Sequence, residues 1–121
     1  MRSIGLIAVA AMAFAAGPAP ADEAQTVKVS LTEWSLGFEE VTVEGEAATF
    51  EVTNDGTAPH GFELEGEIGG EEFEVVTPIL APGESTAFTV ELPAGTYEVY
   101  CPVSGHEGRG MKGKVTFAGE G

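Results

Sequence analysis

The sequence lacks a second cysteine, so its one thiol, Cys101, cannot close a disulfide within the chain. It is also poor in basic residues, because five lysines and arginines stand against 20 aspartates and glutamates, for a net charge of −15. Phosphate groups must be met by lysine and arginine, so this balance argues against nucleic acid as a partner. The acidity itself leaves two explanations open: steering towards a basic partner, or solubility in a saline habitat.

Long hydrophobic runs are also missing, apart from one segment near the N-terminus. Residues 4–16 are apolar, follow a single arginine, Arg2, and lead to small residues that end at Ala19-Pro20-Ala21. This order is typical of a secretory signal peptide, and the run is too short to span a bilayer comfortably. We therefore expect residues 1–21 to be cleaved. Residues 22–121 would form a single exported domain, periplasmic or otherwise extracytoplasmic, with no membrane span after cleavage.

The rest of the chain shows no convincing helical periodicity. Apolar and polar residues alternate with a period of two, as in residues 27–32 and 96–101, and turn signals such as residues 54–56 and 93–95 separate these runs. Such alternation places one face of each strand in a core and the other in water. Many short strands at this spacing predict an all-β fold, either a sandwich or a barrel.

The same alternation assigns most of the glutamates and aromatic residues to structural positions. Trp34 and Tyr97 are expected to pack in the core or at a corner rather than to bind a ligand. Five glutamates fall on outward positions of the strands and are expected to be solvated: Glu51, Glu63, Glu65, Glu91 and Glu98.

The chemistry-bearing residues are concentrated in two loops. In an exported protein a lone cysteine indicates an intermolecular disulfide, a reactive thiol or a metal ligand. Cys101 opens the glycine-rich stretch CPVSGHEGRGM, in which His106 and Met111 follow at regular spacing, and His60 ends the turn before another strand. One thiolate, two imidazoles and one thioether are the donor set of a trigonal copper site with a weak axial ligand. Sulfur donors favour Cu(I), while imidazole suits both oxidation states.

Other readings of these residues fit less well. A cysteine hydrolase needs an accessible thiol beside a base and an oxyanion hole, whereas Cys101 has the inward parity of its strand. A structural zinc site usually has more cysteines and no methionine. A copper carrier or chaperone that has no role in electron transfer is the alternative function, because the ligand set predicts copper binding but not what the bound copper does.

On these motifs the chain resembles the cupredoxins, the small blue-copper electron carriers. The likeness covers most of residues 22–121, from the Pro59-His60 turn through residues 94–97 to the loop 101–111 and residues 113–115. It implies a Greek-key β-sandwich of about eight strands with one mononuclear type 1 copper ion at one end. His60, Cys101 and His106 would bind the copper, and Met111 would be axial.

The resemblance also implies a function and a mode of association. The protein is expected to be a monomer and not an enzyme, and to exchange electrons with redox partner proteins that dock transiently at the His106 end. Three of the few basic residues, Arg109, Lys112 and Lys114, lie at or just after this loop. Many family members have asparagine after the first histidine and serine or threonine after the cysteine. Here Gly61 and Pro102 stand instead, so the side-chain tie between the ligand loops is expected to be absent.

Overall fold

A computed structural model describes residues 24–119, so the predicted signal peptide and the outermost residues of the predicted domain lie outside the described residues. Strands make up most of this part of the chain. They are β1 (Gln25–Leu31), β2 (Glu40–Val43), β3 (Ala47–Asn54), β4 (Glu63–Ile68), β5 (Glu71–Val76), β6 (Ser85–Glu91), β7 (Gly95–Tyr100) and β8 (Lys112–Phe117). Within residues 24–119, no helix has the length and apolar character needed to cross a membrane.

The strands form two sheets that face each other. One sheet has the order β1-β3-β6 and the other has the order β2-β8-β7-β4-β5. The pairs β1–β3 and β2–β8 are parallel, and the remaining pairs are antiparallel. The chain crosses repeatedly from one sheet to the other, and the predicted Greek-key sandwich of about eight strands is confirmed.

The core lies between the sheets and is built from the inward residues of the alternating strands. In β1, for example, Val27, Val29 and Leu31 are buried while their neighbours are more exposed. Tyr97 lies in this core, and its hydroxyl donates a hydrogen bond of 2.7 Å to the carbonyl of Pro93. This bond fixes the entry of β7 as in a tyrosine corner, so the structural role predicted for Tyr97 is confirmed.

One of the outward glutamates is not solvated. Glu51, Glu91 and Glu98 are exposed and Glu65 is half-buried, but Glu63 keeps only 6% of its surface accessible. Burial and, to a smaller extent, a hydrogen bond with Glu74 together raise the pKa of Glu63 to about 7. The prediction for Glu63 was wrong because side chains of the two adjacent strands, Glu74 of β5 and Tyr100 of β7, form hydrogen bonds with it.

Candidate metal centre

Three predicted metal ligands converge at one end of the sandwich. The thiol Sγ of Cys101 lies 3.5 Å from Nδ1 of His106 and 4.0 Å from Nδ1 of His60. The two Nδ1 atoms are 3.2 Å apart. Cys101 and His60 are buried, whereas His106 is partly exposed. The sulfur and the two nitrogens therefore lie close together, and His106 is the partly exposed member of the three.

His60 is held by a loop that a buried side chain organises. Asn54, the last residue of β3, is fully buried, and its amide donates hydrogen bonds of 2.9 Å to the carbonyls of Ala58 and Leu80. Its side-chain oxygen accepts a bond of 2.8 Å from the backbone N–H of Gly56. His60 itself exchanges two backbone hydrogen bonds with Leu80. The loop is therefore closed by its own polar groups, and the backbone of His60 has a fixed position.

The second loop carries Cys101, His106 and Met111 and is tied at its base. The backbone N–H of Cys101 donates to the carbonyl of Met111 at 3.0 Å, and the N–H of Met111 donates to the carbonyl of His106 at 3.2 Å. A single turn of 3-10 helix, Glu107–Arg109, lies between them. Met111 is fully buried immediately before β8. The structure thus places this predicted axial residue at the base of the loop that carries two of the other donors.

The two ligand loops meet through backbone and apolar groups. The backbone N–H of Gly61 donates to Sγ of Cys101 at 3.5 Å. A Cβ at position 61 would lie 3.1 Å from Ile79 Cδ1 and 3.4 Å from the Pro102 ring, so this glycine leaves room for apolar packing. The two loops are therefore joined by apolar packing of Ile79 and Pro102 and by the backbone of Gly61, and not by a polar side-chain hydrogen bond between positions 61 and 102.

The carboxylate of Glu33, which was not predicted from the sequence, contacts the Nε2 side of the His60 ring. Oε2 of Glu33 lies 2.8 Å from Nε2 of His60, on the ring edge that faces away from Cys101. Hydrogen bonds from the backbone N–H of Ala58 and from His60 lower the pKa of Glu33 to about 2. The carboxylate is therefore ionised at neutral pH, so it can only accept a hydrogen bond here, and the donor is the N–H group at Nε2 of His60. Nδ1 of His60 is then the unprotonated nitrogen that faces the thiol.

Trp34, which was expected to pack in the core or at a corner, lies beside His106. It does not pack in the core but is 37% exposed, with its ring centroid 4.9 Å from that of His106. The guanidinium carbon of Arg109 lies 4.8 Å from the centre of the indole ring. Burial lowers the pKa of His106, the positive charge of Arg109 also lowers it, and the carboxylate of Glu33 acts in the opposite direction. A neutral imidazole offers a lone pair to a metal ion.

The sequence carried only weak signals for Glu33 and Trp34. Both lie in the tight turn closed by the two hydrogen bonds between Thr32 and Ser35, directly after β1. A polar residue and an aromatic residue in a turn are common in any β protein. Only the pairing of β1 with β3, which sets Leu31 beside Asn54, brings this turn against the His60 loop.

Comparison with known proteins points to one family. A family model described as a cupredoxin-like domain matches residues 5–117. Among solved structures, the chain is similar to dithionite-reduced auracyanin from the photosynthetic bacterium Roseiflexus castenholzii, with 24% identity over 78% of this chain and 98% of that chain and a TM-score of 0.67. Auracyanin A from Chloroflexus aurantiacus, described as a blue copper protein, is 19% identical over 76% of this chain and 97% of that chain, with a TM-score of 0.61.

An oxidase is also among the structural neighbours. The chain is 19% identical to a multicopper oxidase, mgLAC, over 80% of its own length but only 39% of the oxidase, with a TM-score of 0.57. Likeness at these identities shows a common fold, which the two auracyanins share over nearly their whole length.

Proposed function

This chain belongs to the cupredoxin-like domain family, and we propose that it is an exported electron-transfer protein with one type 1 copper ion. His60, Cys101 and His106 would bind the copper, and Met111 would be the weak axial ligand. The observation that carries the proposal is the convergence of one Sγ and two Nδ1 atoms, all within 4.8 Å of one another.

The chemistry of these donor atoms fits copper better than it fits zinc or a hard cation such as Mg²⁺. A single cysteine with two histidines and a buried methionine offers two sulfur donors and two nitrogen donors. The soft sulfur atoms favour Cu(I), and the imidazoles suit both Cu(I) and Cu(II). Structural zinc sites usually have more cysteines, and hard cations such as Mg²⁺ prefer oxygen.

The frame around the donors suits electron transfer because it resists rearrangement. Cys101 and Met111 are joined by a backbone hydrogen bond at the base of the loop, and His60 is bonded twice to Leu80. When bound, copper supplies a one-electron redox couple. A protein frame that holds the same donor positions in both oxidation states keeps the reorganisation that accompanies each transfer small.

A role as a carrier also agrees with the histidine count. The chain has two histidines in all, and both lie in the candidate centre. A multicopper oxidase would need further histidines for its other copper ions. We therefore propose that this chain is not an enzyme and that it passes electrons to and from partner proteins.

The partners would dock at the end of the sandwich that carries His106. Among the four proposed ligands His106 alone is partly exposed, and the Trp34 ring lies beside it with Arg109 over that ring. We propose transient association of a monomer with redox proteins at this surface and no binding to nucleic acid. Export would follow from the signal sequence in residues 1–21.

Optical and EPR spectra of the copper-loaded protein test this function directly. An intense, reversible blue thiolate-to-copper band is expected for the native chain. Cys101→Ala should abolish this band and still fold, because a small buried side chain replaces another at one position of a large core. A blue, reversible Cys101→Ala variant would contradict the assignment. A colourless Cu(I) protein that hands its metal to an acceptor would instead identify a copper carrier or chaperone.

A further inference from the structure

The carboxylate of Glu33 reaches from the turn after β1 into the loop that carries His60. It accepts hydrogen bonds from the backbone N–H of Thr57 at 2.9 Å and of Ala58 at 2.9 Å, and one from the Thr57 hydroxyl at 3.3 Å. It also lies 2.8 Å from Nε2 of His60. The side chain is 26% exposed, so these contacts leave little of it in water.

We infer that Glu33 is a positioning residue, whose carboxylate selects the tautomer of His60 and fixes its ring for copper binding. This inference rests on the proposed copper site. Its physical basis is that a neutral imidazole has one protonated and one unprotonated nitrogen. A carboxylate that accepts a hydrogen bond from Nε2–H favours the tautomer whose lone pair is on Nδ1. In this structure Nδ1 of His60 faces Cys101 and His106.

The site is built to receive this carboxylate. A Cβ at position 56 would lie 2.6 Å from Oε2 of Glu33, so only glycine leaves the space that the carboxylate occupies. The His60 side chain is fully buried, so solvent cannot take over the role of partner for Nε2. His106 differs, because it packs against Trp34 and is partly exposed. The two imidazoles are therefore held unequally, and His60 is the more firmly oriented of the two.

The charge of Glu33 should also act on the copper. A carboxylate bonded to a ligand histidine raises the basicity of that ligand and stabilises the more highly charged metal. Removal of the charge should therefore disfavour Cu(II) relative to Cu(I). The reduction potential should rise, and the affinity for Cu(II) should fall more than the affinity for Cu(I).

Two variants of different kinds test the inference, with one matched control. Glu33→Gln keeps the shape and one carbonyl acceptor but removes the charge. Gly56→Ala leaves Glu33 in place but pushes its carboxylate away from the loop. Glu91→Gln is the control, because it removes one carboxylate charge at an exposed position far from the site. Glu91 ends β6 and pairs with Ala47, at the opposite end of β3 from Asn54.

For the full chain, we expect Glu33→Gln and Gly56→Ala to lose roughly 10- to 100-fold in Cu(II) affinity and to show higher potentials than Glu91→Gln. In the metal-free protein, nitrogen-15 NMR should show His60 protonated on Nε2 in the native chain and in Glu91→Gln, with that tautomer depleted in the other two variants. Thermal unfolding, measured in parallel, separates a loss of loop stability from a change in the ring.

The inference is overturned if both variants match Glu91→Gln in affinity, potential and His60 tautomer. It is equally overturned if they lower only the unfolding temperature, since that result assigns Glu33 a structural role alone. A failure of the native chain to bind copper would instead refute the proposed function, and the tautomer measurement would remain interpretable by itself.

Discussion

Trp34 packs its indole against the imidazole of His106, with the ring centroids 4.9 Å apart and the planes at 71°. The guanidinium of Arg109 covers the indole, so a side chain from the turn after β1 is enclosed by two residues of the ligand loop. An edge-to-face aromatic pair and a cation–π contact each favour this arrangement. Trp34 thus shields the most exposed of the proposed ligands and fixes the position of the loop.

Trp34→Ala should loosen this loop. Loss of the ring pair and the cation–π contact is expected to lower the free energy of unfolding by about 1–2 kcal/mol. His106 would become more accessible, so a chelator should remove copper faster from the variant than from the native protein. Trp34→Phe, which keeps an aromatic ring, is the control and should lie between the two. Equal rates of copper loss for all three proteins would show that Trp34 does not protect the site.

Met111→Leu should retain copper and shift the reduction potential upward. Met111 is fully buried, and leucine has a similar volume, so the fold should lose less than about 1.5 kcal/mol. An axial thioether bonds weakly, and its loss disfavours Cu(II), which raises the potential without emptying the site. Protein-film voltammetry and metal analysis measure the two effects separately. A variant that binds no copper would instead show that Met111 is required for copper binding.

Glu63 should make the stability of the protein depend on pH between about 4.5 and 7. Burial, with Glu74 as a neighbour, raises the pKa of Glu63 from 4.5 to about 7 in the folded state. The folded protein therefore binds a proton that the unfolded chain releases, so the stabilisation is complete below pH 4.5 and is lost as the pH rises towards 7. Because Glu63 and Glu74 titrate as a coupled pair, only part of the shift belongs to Glu63, and we expect a loss of about 1–2 kcal/mol over that range.

Glu63→Gln tests this assignment, because an amide cannot ionise. The free energy of unfolding of the variant, measured by urea titration at several pH values, should fall less between pH 4.5 and 7 than that of the native protein. Glu91→Gln removes one exposed charge and corrects for the general repulsion among the 20 acidic residues. Parallel curves for the native protein and both variants would show that Glu63 is not the group responsible.

The sequence alone could predict the strands and the candidate ligands because both depend on local patterns. Alternation marks an inward face whatever the neighbouring strand is, and the spacing of Cys101, His106 and Met111 lies within one loop. Glu33 and His60 are 27 residues apart, and their contact depends on the parallel register of β1 with β3. No local pattern encodes that register. The burial of Glu63 was unpredictable for a similar reason, since side chains from other strands cover it.

Docking at the His106 end makes a further prediction, in which charge and shape are tested separately. Lys112 is exposed at the start of β8, directly after the ligand loop. Lys112→Glu should change the association rate with a redox partner by several-fold at low salt and leave the optical spectrum intact. The effect should shrink at high salt, where exposed charges are screened. Lys28→Glu, a charge reversal on β1 that also removes an exposed ion pair with Glu51, is the control.

Gly108→Leu tests the contact surface itself. Gly108 is exposed in the 3-10 turn beside His106, and a Cβ there would meet no other atom within 4 Å, so the substitution should not strain the loop. A leucine would protrude from the surface on which we propose that the partner docks. Electron transfer measured by stopped-flow should therefore slow at high salt as well as at low salt. If transfer is unaffected by Gly108→Leu but collapses when exposed strand glutamates such as Glu51 and Glu98 are neutralised, the partner docks on the acidic flank of the sandwich instead.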